Sequence, residues 1–268
     1  MSSLSLIAVA GPSGSGKTTW INQFLGEQTT PAYYLRPGLE KASVDIGAIN
    51  YRFPSVEVVS DTQAQTVLSQ RLRLPKRKAP ALTVGQLPEK ATVYMEVGFH
   101  LDLASSCLTS FPFHRVAVLP PEMESSQWHE WADQVVQGNS VESARNGQLP
   151  NIWCTPLRGQ VFDPASLDTI WTELTGGAYG QVQRAKGIFE VPDGSLVQID
   201  FVDGLSGSEY RNLNVSPWLD GRPNRFSGLE VVGWELEESA IAQAVLDSCL
   251  SDHVIKQYQS YYQEVVSS

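Results

Sequence analysis

Residues 11–18 read Gly-Pro-Ser-Gly-Ser-Gly-Lys-Thr, the pattern G-x-x-x-x-G-K-S/T, and follow directly on the apolar run at 4–10. No other stretch limits the possible folds as much. The pattern requires a buried strand to end, a glycine-rich turn to wrap and a helix to begin within a few residues, and residues 18–25 can supply that helix. The glycines let the backbone curl until successive N–H groups, and the positive end of the helix, face phosphate oxygens. Lys17 would reach the β and γ phosphates, and Thr18 would offer its hydroxyl to Mg²⁺. Gly11, Pro12, Ser13, Gly14, Ser15, Gly16, Lys17, Thr18 and Thr19 are therefore the expected nucleotide-binding residues.

A chain of 268 residues has room for one large or two modest domains around this unit. Its 42% apolar content is that of a soluble globular protein, and no stretch reaches the roughly 18 uninterrupted apolar residues of a membrane span. The short apolar run at the amino end has no basic segment before it and flows into the glycine loop. It is expected to be a core strand rather than a signal peptide, and the protein is expected to be cytoplasmic. Cys107, Cys154 and Cys249 stand singly without a C-x-x-C pair, which fits core residues in a reducing compartment. The formal charge of -10 argues against general nucleic-acid binding. Arg71, Arg73, Lys76, Arg77 and Lys78 form a local exception, either a solvated loop around Pro75 and Pro80 or a dock for an acidic partner.

Strands are expected at 32–36, 56–59, 92–95, 116–119 and 151–154. Helices are expected from a Ser60/Gln63 capping box toward Leu72, around Trp128 and Trp131 to near Gly138, and at 163–174 with Asp163 and Pro164 at its start. Residues 37–50 read as a mobile loop. This alternation implies an α/β fold over 1–177, a mostly parallel sheet with helices on both faces. Gly176, Gly177 and Gly180 mark the boundary. Beyond it lie a hairpin (182–191 and 196–202, turning at Pro192-Asp193-Gly194), a Gly-, Ser- and Asn-rich loop, a strand at 229–234 and a helix carrying Ile241, Val245 and Cys249. Residues 178–268 are thus expected to form a small α+β domain.

A phosphate loop holds Mg²⁺ with the help of a carboxylate at the end of a neighbouring strand. Glu96, in Val93-Tyr94-Met95-Glu96-Val97-Gly98, sits at such an end, and the Gly98 N–H is placed to approach the γ phosphate. Asp45 would add a second carboxylate that engages only in the triphosphate state. Lys17, Asp45 and Glu96 are the expected catalytic residues, with Thr18, Glu96 and Asp45 around the magnesium ion. His100, Asp102 and His114 follow downstream at a spacing that fits no standard metal site.

With these residues in view, the chain resembles the CobW-like P-loop GTPases, a family linked to metal trafficking and cofactor-metal insertion. In the first domain the resemblance rests on the phosphate loop, on Val44-Asp45 and on Glu96 with Gly98. In the second it rests on Tyr179-Gly180 through Arg184-Ala185-Lys186-Gly187-Ile188, on Pro192-Asp193-Gly194, and on Leu229 to Gly233 running into Leu236-Glu237-Glu238 and the helix from Ile241 to Leu250. The resemblance implies a nucleotide-binding domain followed by the family's small C-terminal domain, GTP (or ATP) with Mg²⁺, and a client or partner protein. Two family motifs are replaced. Val59-Ser60-Asp61-Thr62-Gln63-Ala64 stands where members that handle zinc or cobalt carry C-x-C-C, and Pro120-Pro121-Glu122 stands where the base-reading Asn-Lys-x-Asp would fall.

Three functions are compatible with this sequence. The first is slow Mg²⁺-dependent triphosphate hydrolysis, coupled to metal or cofactor delivery or to protein assembly. The second is a nucleotide-dependent binding or assembly factor with little or no turnover. The third is an ATP-dependent small-molecule kinase, for which residues 71–78 would be the lid. Nothing in the sequence sets the oligomeric state.

Overall fold

Residues 3–27, 30–38, 43–59, 90–145 and 147–267 are described by the computed structural model. They divide into two units, Met1–Glu40 with Phe53–Val141, and Lys41–Arg52 with Glu142–Ser268.

The first unit is built on β1 (Ser3–Ala10), β2 (Ala32–Leu35), β3 (Glu57–Val58), β4 (Lys90–Glu96), β5 (His114–Leu119) and β6 (Gln134–Gln137). Their order is β3-β2-β4-β1-β5-β6, and every neighbouring pair is parallel. Helices α1 (Lys17–Leu25), α3 (Ser106–Thr109) and α4 (Gln127–Trp131) belong to this unit, while α2 (Val44–Arg52) belongs to the other. A parallel sheet needs both faces covered. Leu6, Ala8, Val93, Met95 and Ala117 form one buried face with Leu108 of α3 and Trp128 of α4. The alternate residues face α1, which packs on β1 and β4 with Ile21 and Leu25 buried, a contribution of about 1.5–3 kcal/mol each. Phe24 of α1 stacks on Tyr94 at 6.4 Å. Strand alternation then decides where the polar residues go: Tyr34, opposite Tyr94 in the register, and Glu96, two residues further along β4, share the α1 face.

The second unit holds β7 (Asn151–Pro156), β8 (Gln181–Glu190), β9 (Leu196–Val202), β10 (Glu209–Leu213) and β11 (Gly228–Trp234), in the order β10-β9-β8-β11-β7 with all pairs antiparallel. Ala185, Phe189, Ile199 and Val231 pack against α5 (Pro164–Thr175) and α6 (Glu238–Asp247) through Leu167, Trp171, Ile241 and Val245. On the opposite face Ile188, Leu196 and Leu213 meet Val44 and Ala48 of α2. Helix α7 (Asp252–Ser267) ends the chain, and among the described residues no helix is long and apolar enough to cross a membrane. Helix α5 starts as expected, since Asp163 accepts a hydrogen bond from the Ser166 N–H at 2.9 Å and Pro164 follows it.

The α/β class with a C-terminal α+β unit is present, and several local expectations change. Residues 37–50 were expected to be loop, yet 44–52 are helical, because Val44 and Ala48 find apolar partners far along the chain. The segments 151–154 and 163–174 were expected inside 1–177. Instead β7 pairs with β11, so the units part between Val141 and Glu142. The helix around Trp128 stops at Trp131, and β6 adds an edge strand on β5. The expected glycine-rich loop after β9 contains β10. The Ser60 capping box and the basic residues at 71–78 lie outside the described residues.

Candidate nucleotide site

The loop joining β1 to α1 has φ of 144° at Gly11, 77° at Gly14 and 99° at Gly16, a region that side-chain-bearing residues avoid. At Gly11 space is also limiting, because a Cβ would lie 2.2 Å from the Val118 carbonyl oxygen of β5. From the β6 side, Asn139 grips the loop twice. Its Nδ2 donates to the Gly14 carbonyl at 2.9 Å and its N–H to the Ser15 carbonyl at 3.0 Å. Sequence reasoning missed Asn139, whose only local signal is that it follows Gly138 at the end of a strand.

Inside the loop the Lys17 ammonium is buried and donates to the carbonyls of Gly11 at 3.0 Å and Pro12 at 2.7 Å. The hydroxyls of Ser13 and Ser15 are buried and have no hydrogen-bond partner among the described residues. Leaving a buried hydroxyl unmatched costs about 1–3 kcal/mol. Two such donors in one glycine-lined turn fit a ligand rich in acceptor oxygens, as a polyphosphate is. Thr19 is exposed on α1.

The first turn of α1 meets the tip of β4. Glu96, 2% exposed, lies beside Val9 in the parallel register, and the Val97 N–H extends the ladder to the Val9 carbonyl at 2.8 Å. Thr18 Oγ1 donates to Glu96 Oε1 at 3.1 Å, and the Tyr34 hydroxyl donates to Glu96 Oε2 at 2.9 Å. Tyr34 was not anticipated. A threonine hydroxyl and a carboxylate oxygen are hard donors, the set by which a protein holds Mg²⁺ alongside substrate phosphates. Gly98 packs under His100, where a Cβ would lie 2.5 Å from the imidazole. Asp102 accepts from the Ala104 N–H at 2.9 Å and His114 meets Gln134 at 3.2 Å, and among the described residues no group of three His, Cys, Asp or Glu side chains is arranged to hold a metal.

Asp45 lies in the second unit, buried in the first turn of α2. Lys186 Nζ donates to its Oδ1 at 2.5 Å, and Arg184 Nη1 stands 4.0 Å from its Oδ2. Both cations belong to the Arg-Ala-Lys-Gly segment of β8. In the first unit, the segment after β5 places Glu122 against Ser140, whose hydroxyl donates to it at 2.6 Å and holds its carboxyl below the usual range.

No protein-family profile matches the chain, and no curated protein does. Among solved structures, Zn(II)-bound YjiA GTPase from E. coli is 13% identical and covers 92% of this chain and 99% of its own at a TM-score of 0.32. A Zn(II)-bound triple mutant of YjiA GTPase is 12% identical, with the same coverage and TM-score. Likenesses this loose bear on neither the activity nor the metal of this chain.

Proposed function

We propose that the chain is a Mg²⁺-dependent P-loop nucleoside triphosphatase of the CobW-like kind, binding a purine nucleoside triphosphate, GTP or ATP, and turning it over slowly. The observation that carries the reading is the hydrogen bond from Thr18 to Glu96, made beside a loop whose two serine hydroxyls are buried and unmatched. Backbone N–H groups, Ser13, Ser15 and Lys17 hold the phosphates, with Lys17 leaving the Gly11 and Pro12 carbonyls to do so. Thr18 and Glu96 hold Mg²⁺, which when bound would draw charge from the β and γ oxygens. Asp45 or Glu96 helps orient the attacking water, whose oxygen bonds to the γ phosphorus as the bond from that phosphorus to the β–γ bridging oxygen breaks; nucleoside diphosphate and inorganic phosphate leave, and the water's proton passes to a phosphate oxygen or to solvent. Catalysis on this plan is placement and charge stabilisation. Slow turnover is expected, raised by a partner that brings a further cation. Asp45 keeps the role the resemblance gives it, a second carboxylate for the triphosphate state, and coupling to metal delivery or to a client protein rests on the same resemblance.

The test is nucleotide affinity and phosphate release by the wild type and Lys17→Ala. Charge-assisted hydrogen bonds contribute about 1.5–3 kcal/mol each, so the variant is expected to bind at least about tenfold more weakly and to lose turnover. Equal phosphate release by the two proteins would overturn hydrolysis. Binding without turnover in the wild type would favour a nucleotide-dependent assembly factor.

A further inference from the structure

We infer that Tyr34 is a positioning residue: it occupies one oxygen of Glu96 and so leaves the other, the one already facing Thr18, to take a divalent cation. The inference deepens the proposed nucleotide reading and rests on it. Tyr34 is fully buried in the middle of a four-residue strand, at 0% exposure. Phenylalanine would fill the same volume there, and a buried phenol needs a partner that phenylalanine does not. The partner is Glu96. In the register Tyr34 lies opposite Tyr94, so its ring reaches along β4 to the next side chain on that face, and its hydroxyl meets Oε2 at 2.9 Å.

A carboxylate held at one point can rotate and offer either oxygen or both. Held by Tyr34 at Oε2 and Thr18 at Oε1, its plane is set. The difference matters for the choice of cation. Mg²⁺ is small and takes carboxylates through single oxygens in a strict octahedron, whereas Ca²⁺ accepts more ligands and readily takes both oxygens of one carboxylate. A phenol parked on Oε2 therefore disfavours the two-oxygen mode, and Tyr34 acts as a determinant of Mg²⁺ over Ca²⁺.

The experiment is equilibrium binding of a fluorescent GTP analogue to the whole chain, titrated with Mg²⁺ and separately with Ca²⁺, and repeated in EDTA. Tyr34→Phe is expected to leave binding in EDTA unchanged and to move the ratio of apparent Mg²⁺ to Ca²⁺ affinities toward Ca²⁺ by about three- to tenfold, the worth of one hydrogen bond. Glu96→Asp, which draws the carboxylate back from an intact Tyr34, is expected to move the ratio the same way and serves if the first variant does not fold. In a Glu96→Gln background Tyr34→Phe is expected to change nothing. An unchanged ratio in a folded Tyr34→Phe or Glu96→Asp protein overturns the inference. Absence of nucleotide binding by the wild type overturns the parent reading instead.

Discussion

Glu96 of the first unit and Glu190 and Glu230 of the second are all buried, at 2%, 0% and 0% exposure, yet they meet different partners. Arg225 grips Glu190 through both carboxylate oxygens, each at 2.6 Å, and Arg184 pairs with Glu230. Glu96 instead receives the hydroxyls of Thr18 and Tyr34. A buried charge needs compensation. A guanidinium supplies a full opposite charge, although burial still holds the Glu190 carboxyl above its ordinary value despite Arg225, and such a carboxylate is committed to its partner. Hydroxyls supply only part, and on the proposed reading a carboxylate held that way beside the glycine loop completes its shell with a cation that arrives with the ligand.

Breaking the pairs separates the two cases. Arg184→Met leaves Glu230 buried without its guanidinium and is expected to cost about 3–5 kcal/mol in chemical denaturation. Glu96→Gln, which keeps the shape and loses the charge, is expected to cost less than about 1 kcal/mol while abolishing the Mg²⁺ dependence of nucleotide binding. Equal destabilisation by both would show that Glu96 is as much a structural carboxylate as Glu230. A smaller effect is expected for Asn139→Ala, which removes the Nδ2 bond to Gly14. Losing that bond is expected to lower stability by about 1 kcal/mol and, by loosening the loop, to weaken nucleotide binding by up to about fivefold in calorimetry.

The smallest effect concerns pH and the second unit. Burial pushes the Asp200 carboxyl above its ordinary value of 3.8, Lys186 pulls it down and Asp45 pushes it up again, with a net rise. The folded state therefore binds this proton more tightly than the unfolded chain. Stability is lost as pH rises from 3.8 through the raised folded value and stays lost at neutrality. Asp200→Asn is expected to melt slightly above the wild type at pH 7, with the gap closing below the ordinary aspartate range; a constant gap at all pH values would show that the charge is not responsible.

What the sequence made legible is local. The glycine loop, its flanking strand and helix, and Glu96 at a strand tip each depend on residues within a short window, and as structural elements they lie where they were expected. The features that were missed are set by distant partners. Helix α2 looks like loop because its stabilising contacts, Ile188, Leu196 and Leu213, lie more than a hundred positions away. Strand β7 carries an ordinary strand pattern that does not say whether it will join a parallel or an antiparallel sheet, and pairing with β11 decides the matter. Tyr34 and Asn139 show the same limit at the site, since neither belongs to a motif and each matters through hydrogen bonds created by the strand order.

Gly138 extends the steric requirements of the glycine loop beyond the stretch a pattern search would inspect. A methyl group there would stand 2.3 Å from the Ser15 carbonyl oxygen. A relative with all eight loop residues intact but alanine at this position would pass any screen for the motif while its loop was levered out of shape. The shape of the loop is therefore written in two places more than a hundred residues apart, and only one of them looks like a signature.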